Sequence, residues 1–174
     1  MTAIFREWAP IYWQRGFTPL PVTPGQKACH ISNWQSLMTD DRIEALLRSH
    51  GNHGIGLLMG TPFPDGTTLA AMDIDDDAFV RLGRVLLGNP PCARVGKKGC
   101  VFFFRAIGQV PNSEFRVRLP DGRRGGKHTE IMTTKKLIVI PPTIHPETGE
   151  AYRWIGTPLH ELDFSDLPII EVAS

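Results

Sequence analysis

Three things are scarce in this sequence, and each scarcity removes a class of protein. Cysteine is the first: Cys29, Cys92 and Cys100 are odd in number and lack CxxC spacing, which argues for reduced thiols and against a disulfide framework or a structural zinc site. Long apolar runs are the second, since none approaches the roughly 20 residues of a membrane helix, and no membrane partner is expected. The N-terminal stretch MTAIFREWAP carries Arg6 and Glu7 where a signal peptide would be apolar, so export is not expected and the cytoplasm is the anticipated location. Excess charge is the third. A net charge of +1 gives no global attraction for nucleic acid, so any phosphate binding must come from local clustering. A Walker-type phosphate loop is absent too: in DGRRGGKH, Asp121 stands where the first glycine belongs and His128 follows the lysine in place of Ser or Thr.

What is present fits one soluble globular domain. A length of 174 residues, with 41% hydrophobic and 21% charged residues, suits a single buried core and is short for two. FREWAPIYWQRG has helical spacing of Trp8, Ile11 and Tyr12, with Pro10 expected to start or kink the helix and Gly16 to end it. FTPLPV reads as extended, and Pro24-Gly25 as a turn leading to Lys27. A second helix is signalled by Thr39 as cap, Asp40 and Asp41 in its first turn, and Ile43, Leu46 and Leu47 on one face, ending near His50-Gly51. GIGLLMG and TLAAMDID read as strands that can pair as neighbours across the turn from Pro62 to Gly66. A third helix, capped by Asp76 or Asp77, carries an apolar stripe of Phe79, Val80, Leu82, Val85 and Leu86. CARV and CVFFFR then form a hairpin around Gly-Lys-Lys-Gly, and a polar, Gly-rich excursion runs from about Gly108 to Lys127. HTEIM, LIVI, AYRWI and DLPIIEV supply the last short strands. With no internal repeat, the pattern is mixed α+β in one domain rather than strict βαβ alternation.

The chemistry concentrates in carboxylates. Alternate side chains of a strand share a face, so Met72 and Ile74 can enter the core while Asp73 and Asp75 point together to the other side. Two such carboxylates repel unless a cation lies between them or one is protonated. Magnesium or manganese would suit oxygen donors of this kind. Glu130 is the candidate third ligand, because alternation in HTEIM places His128, Glu130 and Met132 on one face and Thr129 and Ile131 on the other. The bland reading of DIDDD, a strand end whose last residues cap a helix, is accepted for Asp76 and Asp77. It explains Asp73 less well, since a carboxylate inside an apolar strand is costly.

Basic residues cluster between Arg94 and His128. There Arg94, Lys97, Lys98, Arg105, Arg116, Arg118, Arg123, Arg124 and Lys127 outnumber Glu114 and Asp121. This is either a solvated charged hairpin or a surface for nucleic-acid phosphates.

The order of motifs resembles the N-terminal primase-polymerase domain of plasmid, phage and prophage replication proteins, a branch of the archaeo-eukaryotic primase superfamily. The likeness runs from about Tyr12 to Trp154: RGFTPLPVTPGQK, SNWQ, NHGIGLLMG, the strand ending in DID, VGKKGCVFFFR, an acidic strand, and IPPTIHPETGEAYRW. It implies a central sheet flanked by helices, with an N-terminal α/β part over 1–67, a catalytic half like an RNA-recognition motif over 68–160, and a tail over 161–174. It also implies template-directed nucleotidyl transfer from nucleoside triphosphates on a single-stranded or primed DNA template. By the resemblance, Asp73 and Asp75 match the first acidic motif, and Glu130 matches the last metal-binding acid, usually an aspartate. The family's phosphate-binding histidine falls here on Cys100 or Val101, which cannot replace it. Lys97 and Lys98 are the expected substitutes, ahead of His128. Lys27, Asn52 and His145 match positions that contact the nucleotide or support the site. Relatives often continue into a helicase or ATPase domain, so such a domain or protein is an expected partner.

Two other functions compete with this one. KKGCVFFF loosely resembles an RNA-recognition-motif signature, which would make the chain a non-catalytic single-strand binding module with an aromatic among Phe102, Phe103 and Phe104 stacking on a base. A metal-dependent nuclease would use a similar carboxylate set but would not need a triphosphate site.

Overall fold

The computed structural model describes residues 2–171. In chain order the elements are α1 (Ile4–Gln14), β1 (Pro19–Val22), α2 (Asp40–His50), β2 (Gly54–Met59), β3 (Thr68–Ile74), α3 (Asp77–Leu86), β4 (Cys92–Val95) and β5 (Cys100–Ile107). They continue as β6 (Ser113–Arg118), β7 (Arg124–Met132), β8 (Lys136–Val139), β9 (Arg153–Gly156) and β10 (Ile169–Glu171). The α+β class expected from the sequence is what these elements form. No described helix is long and apolar enough to cross a membrane.

Two sheets divide the molecule. The smaller has the order β1-β2-β8 and the larger β6-β7-β3-β5-β4-β9, with β10 running parallel to the end of β5. The expected pairing of β2 with β3 does not occur. Both edges of β2 are already taken, by β1 and β8, and the chain turns away at Gly60, where the Gly60 N–H donates to the Leu69 carbonyl and the Leu69 N–H to the Thr61 carbonyl, at 2.7 and 2.9 Å, at the connection to β3. Strand β8 follows β7 in sequence but completes the smaller sheet, and this crossover brings the two sheets together.

Strand alternation assigns each face of the large sheet to its own core. Leu69 and Ala71 of β3, Val101 and Phe103 of β5 and Met132 of β7 pack with α1, α2 and the small sheet through Phe5, Tyr12, Phe17, Leu20, Ile55 and Leu57. On the opposite face Ala70, Ile74, Cys100, Phe102 and Phe104 form a second cluster against α3. Phe102, Phe103 and Phe104 are all buried, so none offers a ring to a base.

The helices follow their local signals in part. Thr39 caps α2, its hydroxyl accepting from the Arg42 N–H, and Ile43 and Leu46 are buried. Helix α1 begins at Ile4 instead of at Pro10 and buries Phe5, Ala9 and Tyr12 along one stripe. Its first free N–H groups, at Phe5 and Arg6, donate to the carbonyls of His53 and Gly51. Asp76 caps α3 by accepting from Ala78. The α3 stripe is not the buried surface its periodicity suggests: Leu82, Val85 and Leu86 are 52%, 60% and 64% exposed, because the helix meets the sheet through Gly83, where a Cβ would stand 2.3 Å from Ile74 Cδ1. The Gly-rich excursion also differs from expectation, since most of it is the β6–β7 hairpin. Both faces of that hairpin's outer half are largely solvated, so it lacks the apolar run that marks a strand.

Arg105 departs from the basic surface expected for it. It is only 8% exposed and donates to Asp65 at 2.7 Å and to the carbonyls of Leu167 and Ser165 at 3.0 Å each, pinning the C-terminal segment beside β5. The Asp65 carboxyl lies below its ordinary value, first because the Thr67 hydroxyl and N–H donate to it, then because of Arg105. A depressed carboxyl stabilises the fold at neutral pH, and this contribution is lost as pH falls through the folded-state value. Arg105→Met is therefore expected to lower unfolding free energy, through loss of the Asp65 pair and of the bonds to the Leu167 and Ser165 carbonyls, and to leave single-stranded DNA affinity unchanged. Urea denaturation and a DNA titration check this; intact stability with weakened DNA binding would refute the structural role.

Candidate active site where the two sheets meet

The site is built on one cross-strand row. Glu130 of β7 lies opposite Asp73 of β3, Asp73 opposite Val101 of β5, Val101 opposite Arg94 of β4, and Arg94 opposite Trp154 of β9. Residues directly opposite in antiparallel strands share a face, so two carboxylates and a guanidinium are aligned across four strands with an aliphatic spacer between them. Asp75, just past the end of β3, donates its N–H to the His128 carbonyl at 2.9 Å. Asp73 and Asp75 both line a cleft of about 470 Å³ together with Lys27, Arg94, Lys97, Lys98 and His145. Residues 137–139 of β8 form its far wall, so the small sheet closes what the large sheet presents.

Gly99 holds the lysine turn against the acids. It has φ +62°, and a Cβ there would stand 1.7 Å from the Ile74 carbonyl oxygen, a clash no side chain could relieve. Its N–H donates to Asp77 at 2.7 Å, so the second aspartate weighed as an α3 cap ties the helix to this turn instead.

The charges are arranged unequally. Burial raises the Asp73 carboxyl above its ordinary value, opposed by Arg94 and reinforced by Asp75. Glu130 is 5% exposed and has both oxygens engaged, with Lys127 at 2.8 Å and Lys136 at 2.9 Å. Burial pushes its carboxyl up, but these two hydrogen bonds outweigh that and hold it below its ordinary value. Lys127 also stands 3.5 Å from Asp75. On the cationic side, Lys27 and Lys97 share one carboxylate, Glu147, at 3.6 and 2.8 Å. His145 is 3% exposed, and its Nδ1 accepts from the Glu147 N–H at 3.1 Å. Burial, then Lys27, lowers its pKa.

Several residues stand elsewhere than their spacing suggests. The β6–β7 register shifts between Phe115 and Arg116, and His128, at that irregularity, turns to the opposite face from Glu130. Its ring stacks on Phe79 of α3 with centroids 4.1 Å apart, so it is not brought to the cleft. Lys127, expected among DNA contacts, lies on the acids. Asn52 is exposed in the turn between α2 and β2 and is not among the residues lining the cleft. Arg116 and Arg123 pair with Glu114 and Asp121 on the hairpin, at 3.1 and 2.6 Å, whereas Arg118 and Arg124 form no ion pair among the described residues and line a shallow cavity of about 280 Å³. Cys100 is buried with its thiol pushed up by burial to about 11, an unreactive state. Sequence reasoning missed Lys136, Glu147 and Tyr152. Only alternation in KLIV, which puts Lys136 on the face of Ile138, hinted at the first.

Asp73 and Asp75 offer oxygen donors, which suit a hard divalent cation, and burial raises the Asp73 carboxyl above its ordinary value. Among the described residues no three carboxylate, histidine or cysteine side chains are already grouped for a metal, since Glu130 gives its oxygens to lysines. Asp73 and Asp75 would therefore hold a cation first, with Glu130 joining once a lysine moves.

Carboxylates on a central strand beside a cationic wall define a protein suited to phosphate chemistry. The family model described as "Bifunctional DNA primase/polymerase, N-terminal" matches residues 9–169. The chain belongs to this Prim-Pol family and is a DNA primase/polymerase domain. Comparison with curated proteins finds no match.

His128→Ala should lose the stacking on Phe79, about 1 kcal/mol of stability, and leave nucleotide affinity unchanged. Chemical denaturation and a dATP titration measure the two quantities; a marked loss of dATP affinity at unchanged stability would place the ring in the cleft after all.

Proposed function

We propose that the chain performs template-directed nucleotidyl transfer, using Asp73 and Asp75, with Glu130 as third ligand, to hold magnesium or manganese ions. The observation that carries this reading is the Glu130–Asp73 register with Asp75 beside it, facing lysines and an arginine across one cleft. When bound, the metal supplies activation of the attacking hydroxyl and neutralisation of charge on the departing pyrophosphate. The protein's own part is positioning. Asp73 and Asp75 fix where positive charge collects, and the Lys27, Lys97 and Lys98 side chains receive a triphosphate at the opposite wall. His145, buried and held by the Glu147 N–H, keeps the loop that carries Glu147 in place. Lys127 and Lys136 neutralise Glu130 until the site fills, so the unliganded cleft does not carry three uncompensated carboxylates.

The template is read as lying along the β6–β7 hairpin. Arg118 lies opposite Arg124 on that hairpin, and these two cations, which form no ion pair among the described residues, support this reading. Phosphate contacts of this kind position a strand without reading its sequence. The alternative of a non-catalytic module with a stacking sheet loses its main support, because all three phenylalanines of β5 are buried. A nuclease remains distinguishable by triphosphate binding, which it would not require.

Primer extension with labelled deoxynucleotides and manganese tests the assignment. Asp73→Ala and Asp75→Ala are expected to reduce synthesis by about 100-fold or more, and undiminished synthesis by either variant would sink it. Because burial and Asp75 raise the Asp73 carboxyl, its charged form opposes folding at neutral pH. Asp73→Asn should therefore melt at or above the wild-type temperature while losing activity, and a clear drop in melting temperature would contradict that sign.

A further inference from the structure

The structure assigns to Arg94 the role of a phosphate clamp, gripping the phosphate chain of a nucleoside triphosphate in the cleft. The identity of the ligand rests on the polymerase reading above, whereas the anion site stands on geometry alone. Arg105, which is buried, pairs with Asp65, the half-buried Lys127 and Lys136 pair with Glu130, and the half-buried Arg42 donates to the Ser32 and Asn33 carbonyls. Arg94 is different. Among the described residues it forms no salt bridge, and its Nε is fully enclosed with no hydrogen-bond partner. An enclosed polar group without a partner is rare because desolvation is not repaid, and an anion entering the cleft that Arg94 lines would offset the cost of holding this guanidinium away from water.

The surroundings prevent Arg94 from being satisfied internally. Its row-mate Asp73 stands two strands away, about 10 Å between backbones, with Val101 between them; Asp73 is the principal counter-charge felt by Arg94 but does not form an ion pair with it. The guanidinium instead lies over the Tyr152 ring, 4.8 Å from its centroid. Tyr152 is itself wedged against His145, with ring centroids 5.0 Å apart, and packs with Val22 and Val139. The planar fork is thereby held in one orientation. A phosphate chain in the cleft would meet Arg94 on one side and Asp73 with Asp75 on the other.

The lysines of the cleft are less suited to this task. Lys27 and Lys97 are partly neutralised by Glu147, and Lys98 is exposed. A lysine binds phosphate as a point charge, whereas an arginine presents two parallel donors. Arg94 is thus the primary anchor, and Glu147 is the carboxylate that an arriving phosphate chain displaces from the two lysines.

The test is calorimetric titration of the whole chain with inorganic tripolyphosphate, and separately with dATP, in EDTA, comparing wild type with Arg94→Lys and Arg94→Met. Arg94→Lys keeps the charge and decides the matter if the methionine variant does not fold. Wild type should bind both ligands, and Arg94→Lys should raise both dissociation constants about tenfold. In primer extension the same variant should raise KM for the deoxynucleotide more than it lowers kcat. Equal tripolyphosphate affinity in wild type and Arg94→Lys overturns the inference, as does the absence of wild-type binding. Wild type that binds tripolyphosphate through Arg94 but extends no primer would overturn the polymerase reading and leave the anion site standing.

Discussion

A carboxylate in the middle strand of a sheet has to be compensated, and cross-strand register decides what compensates it. Asp73 sits where β3 is flanked by β7 and β5, so its nearest same-face neighbours are Glu130 and Val101. Neither neutralises it. The next row position supplies Arg94, too distant for an ion pair, and the opposite wall supplies lysines already shared with Glu147. Negative and positive charge are therefore separated across a cleft instead of cancelling, an arrangement suited to a ligand that carries both a cation and a phosphate chain.

The two-sheet architecture maintains that separation. Strand β8 leaves the large sheet's side of the chain to complete the small one, and Lys136 at its start reaches back to Glu130. One ion pair thus spans the two sheets beside the acids. On the opposite face, Gly83 allows α3 to lie close on Met72 and Ile74, which fixes the strand that carries Asp73 from behind. The core clusters on both faces of β5 leave that strand no freedom to rotate, so the row from Glu130 to Arg94 is rigid at its centre.

Much of the site was legible in the sequence because strand alternation is a strong local rule. Asp73 and Asp75 fall on the face opposite Met72 and Ile74, as alternation predicts, whereas the register that sets Glu130 opposite Asp73 comes from the pairing of β3 with β7, which alternation does not fix. The failures have local causes. His128 sits at a register shift between β6 and β7, and a bulge inverts the face of a residue without leaving a mark in composition. The start of α1 depends on carbonyls of Gly51 and His53, distant in sequence, so whether Pro10 starts or kinks the helix could not be read locally. The pairing of β2 with β3 failed because β8, more than 70 residues beyond β2 in the chain, takes the available edge. Arg105 resembles its basic neighbours by type alone, and only its contact with Asp65 and the C-terminal segment distinguishes it.

The central claim is that Asp73 and Asp75 form the point where a divalent cation and a phosphate chain meet. Crystals of the protein grown with manganese and dATP, measured for anomalous scattering from manganese, address it most directly. The prediction is manganese in direct contact with the Asp73 and Asp75 carboxylates, with the triphosphate extending toward Arg94. Manganese bound elsewhere, or a triphosphate lying outside the cleft, would contradict it.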